Sequence, residues 1–405
     1  MLRDIKLKYF TASHRVCQPE ETLKNNEEKL KTAGITRITD ITDLDRVGIP
    51  VFSAIRPRAQ EGAVSVYAGK GAEKKQAEAS AMMEGFERYS AEMQEEDKEK
   101  IIVSSIEDMK GEKFIQPKDM YLPKNITDDI LDVTVLEWYP CIDIVSEEEY
   151  YVPANGIFHP YIPANKSATP LFRANTNGLA SGNVLEEAIL HGIFEVIERD
   201  AWSIFELVHK NRRQIDNNSI ENEVVRDLLD KFKAQSINVK LMDITSDVGV
   251  CTVTASSDDD VLRDPALLSL GVGTHLNPDI AIIRALTEVA QSRATQIHGT
   301  REDTTRANFM RHAGYDRMKK INRQYYDDED EKIKRSDMAD LSSDSLKKDI
   351  ETCKKHLIDC GLDKILYTDL TRKQLGISAC RVVIPKMELY TVDSDRLGDR
   401  FKSFC

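Results

Sequence analysis

The chain has 405 residues, 41% of them hydrophobic and 31% charged, so it can form one large domain or two to three ordinary ones. Its formal net charge of −13 argues against a nucleic-acid-binding protein, because no basic excess exists to neutralise phosphates. The seven cysteines are scattered and form no C-x-x-C pair. Neither a signal peptide nor a stretch long enough to span a membrane is evident, so we expect a cytoplasmic protein.

Helix and strand signals are mixed along the whole chain. Helices are predicted over residues 18–34, 72–94, 184–209, 219–235, 278–298 and 344–360. Strands are predicted within residues 49–57, 131–153, 237–244, 250–256, 266–273, 364–370 and 378–385. The highly charged residues 315–337 indicate a solvated loop or a frayed helix. With no clear linker, the pattern favours an α/β protein built as one interwoven domain or two intimate halves.

One motif occurs twice with identical spacing. The copies read Gly71-x5-Ala77-x6-Glu84-x2-Glu87-Arg88 and Gly182-x5-Ala188-x6-Glu195-x2-Glu198-Arg199. A looser third copy, Ala281-x6-Glu288-x2-Gln291, lies further along the chain. Positions 0, +4 and +7 share one stripe of a helix. The predicted stripes are Ser80/Glu84/Glu87, His191/Glu195/Glu198 and Arg284/Glu288/Gln291.

The second stripe lies on a helix that is apolar on nearly every side, which is typical of a buried helix. An isolated E-x-x-E pair is ordinarily a solvated helix face, but three matching stripes favour a shared site. Buried carboxylates are costly unless they are paired or bind metal, and arginines 88, 199 and 284 balance only part of the charge. Mg²⁺ would suit these oxygen ligands, whereas zinc is disfavoured because ligand-spaced Cys and His are missing.

The segment GAVSVYAGKGA (62–72) superficially resembles a phosphate-binding P-loop. Its first and second glycines are too far apart, and Lys70 is followed by Gly instead of Ser or Thr. We therefore expect any nucleotide phosphates to be held by metals and side chains. Gly69 and Gly71 are predicted to be turn residues ahead of the helix, with close backbone approach to a phosphate as the alternative.

These motifs resemble the YcaO family of ATP-dependent enzymes that modify peptide backbones. The similarity rests on SAMMEGFER, on NTNGLASGNVLEEAILHGIFEVIERDA and on RALTEVAQSR, and it extends to GKG and TDLTR. It covers roughly residues 10–385. The resemblance implies a fold with internal pseudo-symmetry, in which helices pack on mixed sheets, and a homodimer.

The resemblance also implies functional residues. Two Mg²⁺ ions would be bound by Glu84, Glu87, Glu195, Glu198 and Glu288. ATP would be contacted by Arg15, Thr22, Ser80, Arg88, Asn183, Glu187, Arg199, Arg284 and Gln291. Residues 1–60 would then form an N-terminal segment that contributes to the nucleotide site, and residues 61–405 the catalytic domain.

Members of the family phosphorylate a peptide amide oxygen with ATP, and the attacking nucleophile determines the product. The chain is most similar to stand-alone archaeal members that thioamidate a glycine of methyl-coenzyme M reductase, which implies external sulfide and a possible TfuA-like partner. It ends in GDRFKSFC and not in the proline-rich tail of azoline-forming members. Azoline or amidine formation on another peptide stays open, as does a non-catalytic ATP-binding scaffold. The catalytic base is not identified by the sequence.

Overall fold

The computed structural model describes residues 2–109, 111–210, 212–299, 306–328 and 331–405. The helices of the described chain are α1 (Pro19–Asn26), α2 (Lys74–Ala91), α3 (Glu95–Lys98), α4 (Asp128–Val133), α5 (Leu185–Val208), α6 (Glu223–Ala234), α7 (Pro278–His298), α8 (Arg306–Ala313), α9 (Tyr315–Ile321), α10 (Arg323–Tyr326) and α11 (Leu346–Asp359). The strands are β1 (Arg37–Asp40), β2 (Val51–Ile55), β3 (Val66–Lys70), β4 (Ile102–Ser104), β5 (Leu136–Asp143), β6 (Glu149–Pro153), β7 (Leu179–Gly182), β8 (Arg213–Ile215), β9 (Ile237–Asp243), β10 (Thr252–Asp259), β11 (Leu270–Thr274), β12 (Lys332–Ile333), β13 (Leu366–Asp369) and β14 (Ser378–Val383).

Helices α6, α7 and α11 each begin at a residue whose side chain caps the first turn. The side chain of Asn277 accepts hydrogen bonds from the second and third amides of α7, and Asn222 does the same for α6. Ser345 caps α11 in a similar way. The six predicted helices are confirmed, although the first is shorter than expected: α1 ends at Asn26 and gives way to a 3₁₀ turn over Glu27–Lys29.

Strands in the described chain form three sheets. The first has the order β1-β2-β3 and is antiparallel throughout. The second has the order β11-β10-β9-β8-β12, in which only the β8–β12 pair is parallel. The third has the order β4-β5-β13-β14-β7, with β6 paired to β5, as the alternating pattern over residues 131–153 predicted. The predicted division at residue 60 lies between β2 and β3, which pair with each other.

A strand followed by a helix is repeated in each sheet: β3 with α2, β7 with α5 and β11 with α7. A methyl group placed on Gly71 would lie 2.7 Å from the amide nitrogen of Ala77, and one on Gly182 would lie 2.7 Å from that of Ala188. The shared Gly-x5-Ala spacing therefore marks the point where each helix crosses its own strand. This equivalence is the physical basis of the predicted pseudo-symmetry.

The turn prediction for Gly69 is wrong, because Gly69 lies within β3. A methyl group there would come within 2.0 Å of the Ala81 nitrogen and 2.4 Å of the Ala77 oxygen. The residue is glycine because the helix backbone leaves no room for a side chain. Gly71 follows β3 directly and is subject to the same restriction from α2.

The central helix α5 is buried along most of its length, as its apolar composition predicted. The charged segment 315–337, in contrast, is more ordered than predicted. Residues Tyr315 and Met318 of α9 and Tyr325 of α10 are buried against the second sheet. Burial of these three side chains holds the segment against the protein despite its many charges. Glu329 and Asp330 of the segment lie outside the described residues.

Candidate functional site

Helices α2, α5 and α7, with the N-terminal segment, line one cavity of about 550 Å³. All of the predicted metal and nucleotide residues line it. They are Arg15, Thr22, Ser80, Glu84, Glu87, Arg88, Asn183, Glu187, Glu195, Glu198, Arg199, Arg284, Glu288 and Gln291. Residues separated by up to 276 positions in the sequence (291 − 15) are thus brought together, and their individual roles remain predictions.

The acids of α2 face the cavity beside the arginine that follows them. Arg88 Nη2 donates to Glu84 Oε1 at 3.2 Å and lies 3.9 Å from Glu87 Oε1. Burial raises the pKa of Glu87 to about 8, and the carboxylates of Glu195 and Glu84 act in the same direction against Arg88. A cation beside Glu87 would stabilise the ionised form of this carboxyl group.

The acids of α5 lie opposite those of α2. Glu198 is only 2% exposed and its Oε2 accepts a hydrogen bond of 3.0 Å from the Thr274 amide. Arg199 Nη2 is 3.6 Å from Glu198 Oε1, and Arg284 Nη2 is 3.8 Å from Oε2. Burial nevertheless raises the pKa of Glu198 to about 7, so two long ion pairs do not fully offset its desolvation.

The third stripe, on α7, is connected to β3. Glu288 forms an ion pair with Lys70, and the side-chain amide of Gln291 donates to the carbonyl oxygen of Ala68. Burial alone would raise the pKa of Glu288, but Lys70 and Arg199 outweigh it and lower that pKa. The sequence assigns no role to Lys70, so its contact with Glu288 is not predicted. The GKG match ahead of the first helix was the available signal.

The N-terminal segment closes one side of the cavity through hydrogen bonds to the start of α5. The Val16 amide donates to Glu187 Oε2 at 3.0 Å, and Arg15 Nη1 donates to Oε1 at 3.4 Å. Asn183 donates to the same Oε1 from its side chain at 3.1 Å. Thr22 Oγ1 in turn donates to Asn183 Oδ1 at 3.0 Å. Arg15 and Thr22, the two N-terminal residues that the resemblance assigns to the nucleotide, therefore lie on a segment that borders the cavity.

His191 also lines the cavity, one helical turn before Glu195. Burial, together with the neighbouring charge of Arg284, lowers the pKa of His191 well below its ordinary value. Its imidazole is therefore neutral at physiological pH. His191 therefore adds no positive charge beside Glu195 and Glu198.

The five predicted metal-binding glutamates do not form a preassembled cage. Within the described residues, no three acidic, histidine or cysteine side chains are grouped as one ion would require. Mg²⁺ ordinarily takes only one or two protein carboxylates and completes its shell with water and substrate phosphates. The glutamates fit this mode of binding, because the neighbouring arginines do not fully offset the burial of the Glu87 and Glu198 carboxylates.

Buried arginine nitrogens complement these acids. Arg88 Nε and Nη1 and Arg284 Nε are buried without a hydrogen-bond partner. An unsatisfied buried donor carries a desolvation cost of about 1–3 kcal/mol, which an anionic ligand would relieve. The cavity thus contains arginine N–H groups without partners, which could bind phosphate. Beside them lie glutamates whose charge is only partly paired, which could bind the metal ion.

A family model described as YcaO cyclodehydratase, ATP- and Mg²⁺-binding, matches residues 68–388. The chain belongs to the YcaO family. It is 53% identical over 386 residues to an uncharacterised protein of Methanothermobacter thermautotrophicus, which covers 95% of this chain and 98% of that protein. It is 28% identical to an uncharacterised protein encoded in the tfuA 3′ region of Rhizobium leguminosarum bv. trifolii, over 93% of this chain and 89% of that protein.

Solved structures agree with this assignment. The YcaO protein of Methanopyrus kandleri, bound with AMPPCP and Mg²⁺, matches with a TM-score of 0.80 at 27% identity, covering 97% of this chain and 98% of that one. A heterocyclase in complex with substrate and cofactor matches with a TM-score of 0.83 at 22% identity, covering 96% of this chain and 54% of that one, and shows the fold alone. The predicted mixed α/β YcaO fold is therefore confirmed. No helix of the described chain has the length and apolarity that crossing a bilayer requires.

Proposed function

We propose that this YcaO protein uses ATP and Mg²⁺ to activate a peptide backbone amide. The observation that carries the proposal is the single cavity in which the glutamates of α2, α5 and α7 face orphaned arginine donors. The family description names ATP and Mg²⁺, and the Methanopyrus relative is bound with AMPPCP and Mg²⁺, so both support these ligands. We expect two Mg²⁺ ions to be held by Glu84, Glu87, Glu195, Glu198 and Glu288.

The remaining cavity residues are proposed to bind the nucleotide. Arg15 and Thr22 would reach it from the N-terminal segment, and Arg88, Arg199 and Arg284 from the helices. Bound Mg²⁺ would neutralise charge on the triphosphate during phosphoryl transfer. The arginines would add fixed positive charge where the transferred group develops negative charge.

The proposed reaction replaces the amide oxygen by sulfur. The amide oxygen attacks the γ-phosphorus, the bond to the β-phosphate oxygen breaks, and ADP leaves. Hydrosulfide then attacks the activated carbon, and the former amide oxygen departs as part of inorganic phosphate. The product is a thioamide with no change in oxidation state, so no oxidant or reductant is required.

The proposed substrate is a glycine of the methyl-coenzyme M reductase alpha subunit. The 53% identity with a Methanothermobacter protein supports this choice of substrate, because that archaeon is a methanogen. The Rhizobium relative from the tfuA 3′ region supports a TfuA-like protein as partner in sulfide delivery. A homodimer is part of the same proposal, and sedimentation of the purified chain tests it.

Two other functions are distinguishable from this one. Attack by a substrate side chain or an amine would give an azoline or an amidine, and the family description names cyclodehydratase activity. A non-catalytic scaffold would bind ATP without turning it over. Against the scaffold, Glu87 and Glu198 are costly buried acids that a purely structural protein has no need to retain.

Mass spectrometry separates these possibilities. The protein is incubated with ATP, Mg²⁺, sulfide and a glycine-containing peptide from the reductase, with and without a TfuA-like protein. Exchange of oxygen for sulfur adds about 16 Da, whereas azoline formation removes about 18 Da as water. ATP hydrolysis without a peptide product, in the presence of the partner protein, would contradict the thioamide proposal.

A further inference from the structure

A second, smaller cavity of about 40 Å³ borders a neighbouring face of the same helix, α5. Two consecutive residues of α5 mark the division, since Glu195 lines the main cavity and Val196 lines the smaller one. The smaller cavity is also lined by Arg381 of β14 and by Arg396, and we call it the arginine cavity. Both arginines are buried, with 4% and 1% of their surface exposed.

Neither guanidinium has a charged hydrogen-bond partner in the described chain. Arg381 donates to the carbonyl and side-chain oxygens of Asn175 at 2.8 and 3.2 Å. Arg396 donates to the carbonyls of Tyr121 and Met120 at 2.8 and 2.6 Å. One nitrogen of each group, Arg381 Nε and Arg396 Nη1, is buried without a partner. The two buried cations thus have neutral hydrogen-bond partners and one unused donor each.

The electrostatics of Arg381 and Arg396 also favour a bound anion. Burial lowers the pKa of Arg381 to about 10; Arg396 and Arg88 act in the same direction, while Glu195 opposes them. Burial likewise lowers the pKa of Arg396 to about 10, with Asp393 opposing. The two guanidiniums therefore repel each other, and an anion between them would relieve both the repulsion and the unmet donors.

The size and lining of the cavity restrict that anion. A volume of about 40 Å³ has room for roughly three water-sized particles, which excludes an organic carboxylate of any length. Met120, Phe172 and Met387 supply polarisable surface, and the Arg396 guanidinium lies 3.8 Å over the Phe172 ring. Asn177 completes the lining with a buried, unpartnered Oδ1. A small, polarisable anion suits these surroundings.

We propose that the arginine cavity binds a small monovalent anion between Arg381 and Arg396, and that this anion is hydrosulfide during catalysis. The second half of the inference rests on the proposed thioamide reaction. The arginine cavity would hold the nucleophile beside the activation site, because Val196 of its lining directly follows Glu195 of the main cavity in α5.

The first test uses bromide as a probe and does not depend on the reaction. Crystals of the full chain grown in sodium bromide should show an anomalous peak between Arg381 and Arg396. The variant Asn177→Asp places a carboxylate in the cavity, so it should lose the peak while keeping or raising the melting temperature. Arg263→Met, which removes an exposed arginine paired with Asp316, is the control and should keep the peak. A wild-type crystal without the peak overturns the anion site, whatever the reaction product.

The second test addresses hydrosulfide. Asn177→Asp should raise the KM for sulfide at least tenfold and leave the KM for ATP unchanged. Thioamide formation with an unchanged KM for sulfide would overturn the hydrosulfide assignment while the bromide result stands. Bromide binding in a protein that makes no thioamide would instead refute the proposed function and the hydrosulfide assignment, and would retain the anion site.

Discussion

The hydroxyl of Thr22 donates a 3.0 Å hydrogen bond to Oδ1 of Asn183, across 161 positions of sequence. This contact joins α1 to the turn between β7 and α5, and Asn183 passes the connection on to Glu187. The N-terminal segment is thus fastened to the same turn that begins the central acidic helix. These polar contacts, together with the core packing of Leu7 and Val16, hold the segment at the cavity.

Replacing Thr22 by Val should weaken ATP binding about threefold to tenfold with little loss of stability. The substitution keeps the shape of the side chain and removes one hydrogen bond, worth about 1 kcal/mol. Titration calorimetry with a non-hydrolysable ATP analogue measures the effect. Thr352→Val, which removes a hydroxyl on the exposed face of α11, is the matched control. Equal affinities in the two variants would show that the segment has no part in nucleotide binding.

Replacing Glu198 by Gln should reduce Mg²⁺-dependent ATP binding by about 100-fold or more while the protein stays folded. The pKa of about 7 means that the ionised form is poorly stabilised without metal, so the neutral amide should not lower the melting temperature of the ligand-free protein. Binding is measured with and without Mg²⁺. Glu351→Gln on α11 serves as the control, because Glu351 forms a surface ion pair with Lys354 and lies outside the cavity lining. Unchanged affinity in Glu198→Gln would refute the metal assignment.

The stability of the ligand-free protein should fall as the pH rises from about 4.5 to about 8. Over this window folded Glu87, with its pKa raised from 4.5 to about 8, retains a proton that the unfolded chain has released. Mg²⁺ with a nucleotide should favour the ionised carboxylate, so its stabilising effect should be larger at about pH 8.5 than at about pH 6. Thermal unfolding at both values measures this difference.

The variant Glu87→Gln isolates the contribution of this group. It cannot titrate, so the pH dependence that it retains belongs to ATP and to the other residues. A ligand-induced stabilisation that changes with pH equally in the variant and the wild type would contradict the role given to Glu87.

The sequence predicted the helices well because their apolar periodicity is strong, and three of them, including α7 with Asn277, also begin at a capping residue. It also predicted which residues share the cavity, since the repeated spacing places the acids on equivalent stripes. It did not predict how the acids are paired. The contact between Lys70 and Glu288 depends on how β3 lies against α7, which no local pattern encodes. The two buried arginines, Arg381 and Arg396, had no sequence signal either, because a lone arginine in a strand or loop is ordinarily exposed.

Replacing Gly69 by Ala should destabilise the protein by about 1–3 kcal/mol or more. The added methyl group would meet the backbone of α2, which cannot move without disturbing the Glu84 and Glu87 stripe. Chemical denaturation gives the free energy of unfolding. Ser53→Ala on the adjacent strand β2, which removes a buried hydroxyl without a hydrogen-bond partner, is the control and should change stability by less than about 1 kcal/mol. A fully stable Gly69→Ala protein would contradict the close packing of β3 on α2.

Trp202 is a positioning residue for Arg199. The Arg199 guanidinium lies 5.3 Å from the centre of the Trp202 ring, and the indole Nε1 donates a 2.6 Å hydrogen bond to the hydroxyl of Tyr325. The Tyr325 hydroxyl in turn bonds Glu206. The charged segment whose burial the sequence did not predict thus supports the ring beneath a cavity arginine.

Replacing Trp202 by Leu should raise the KM for ATP about fivefold, since a stacked arginine of this kind gains about 1 kcal/mol. Trp202→Phe keeps an aromatic face and loses only the N–H donor, so its KM should stay near that of the wild type. Steady-state ATP hydrolysis with peptide present measures both variants. If Phe raises KM as much as Leu does, Arg199 is positioned through the Tyr325 hydrogen bond and not through the aromatic face. If neither variant changes KM while both lower the melting temperature, Trp202 has a structural role only.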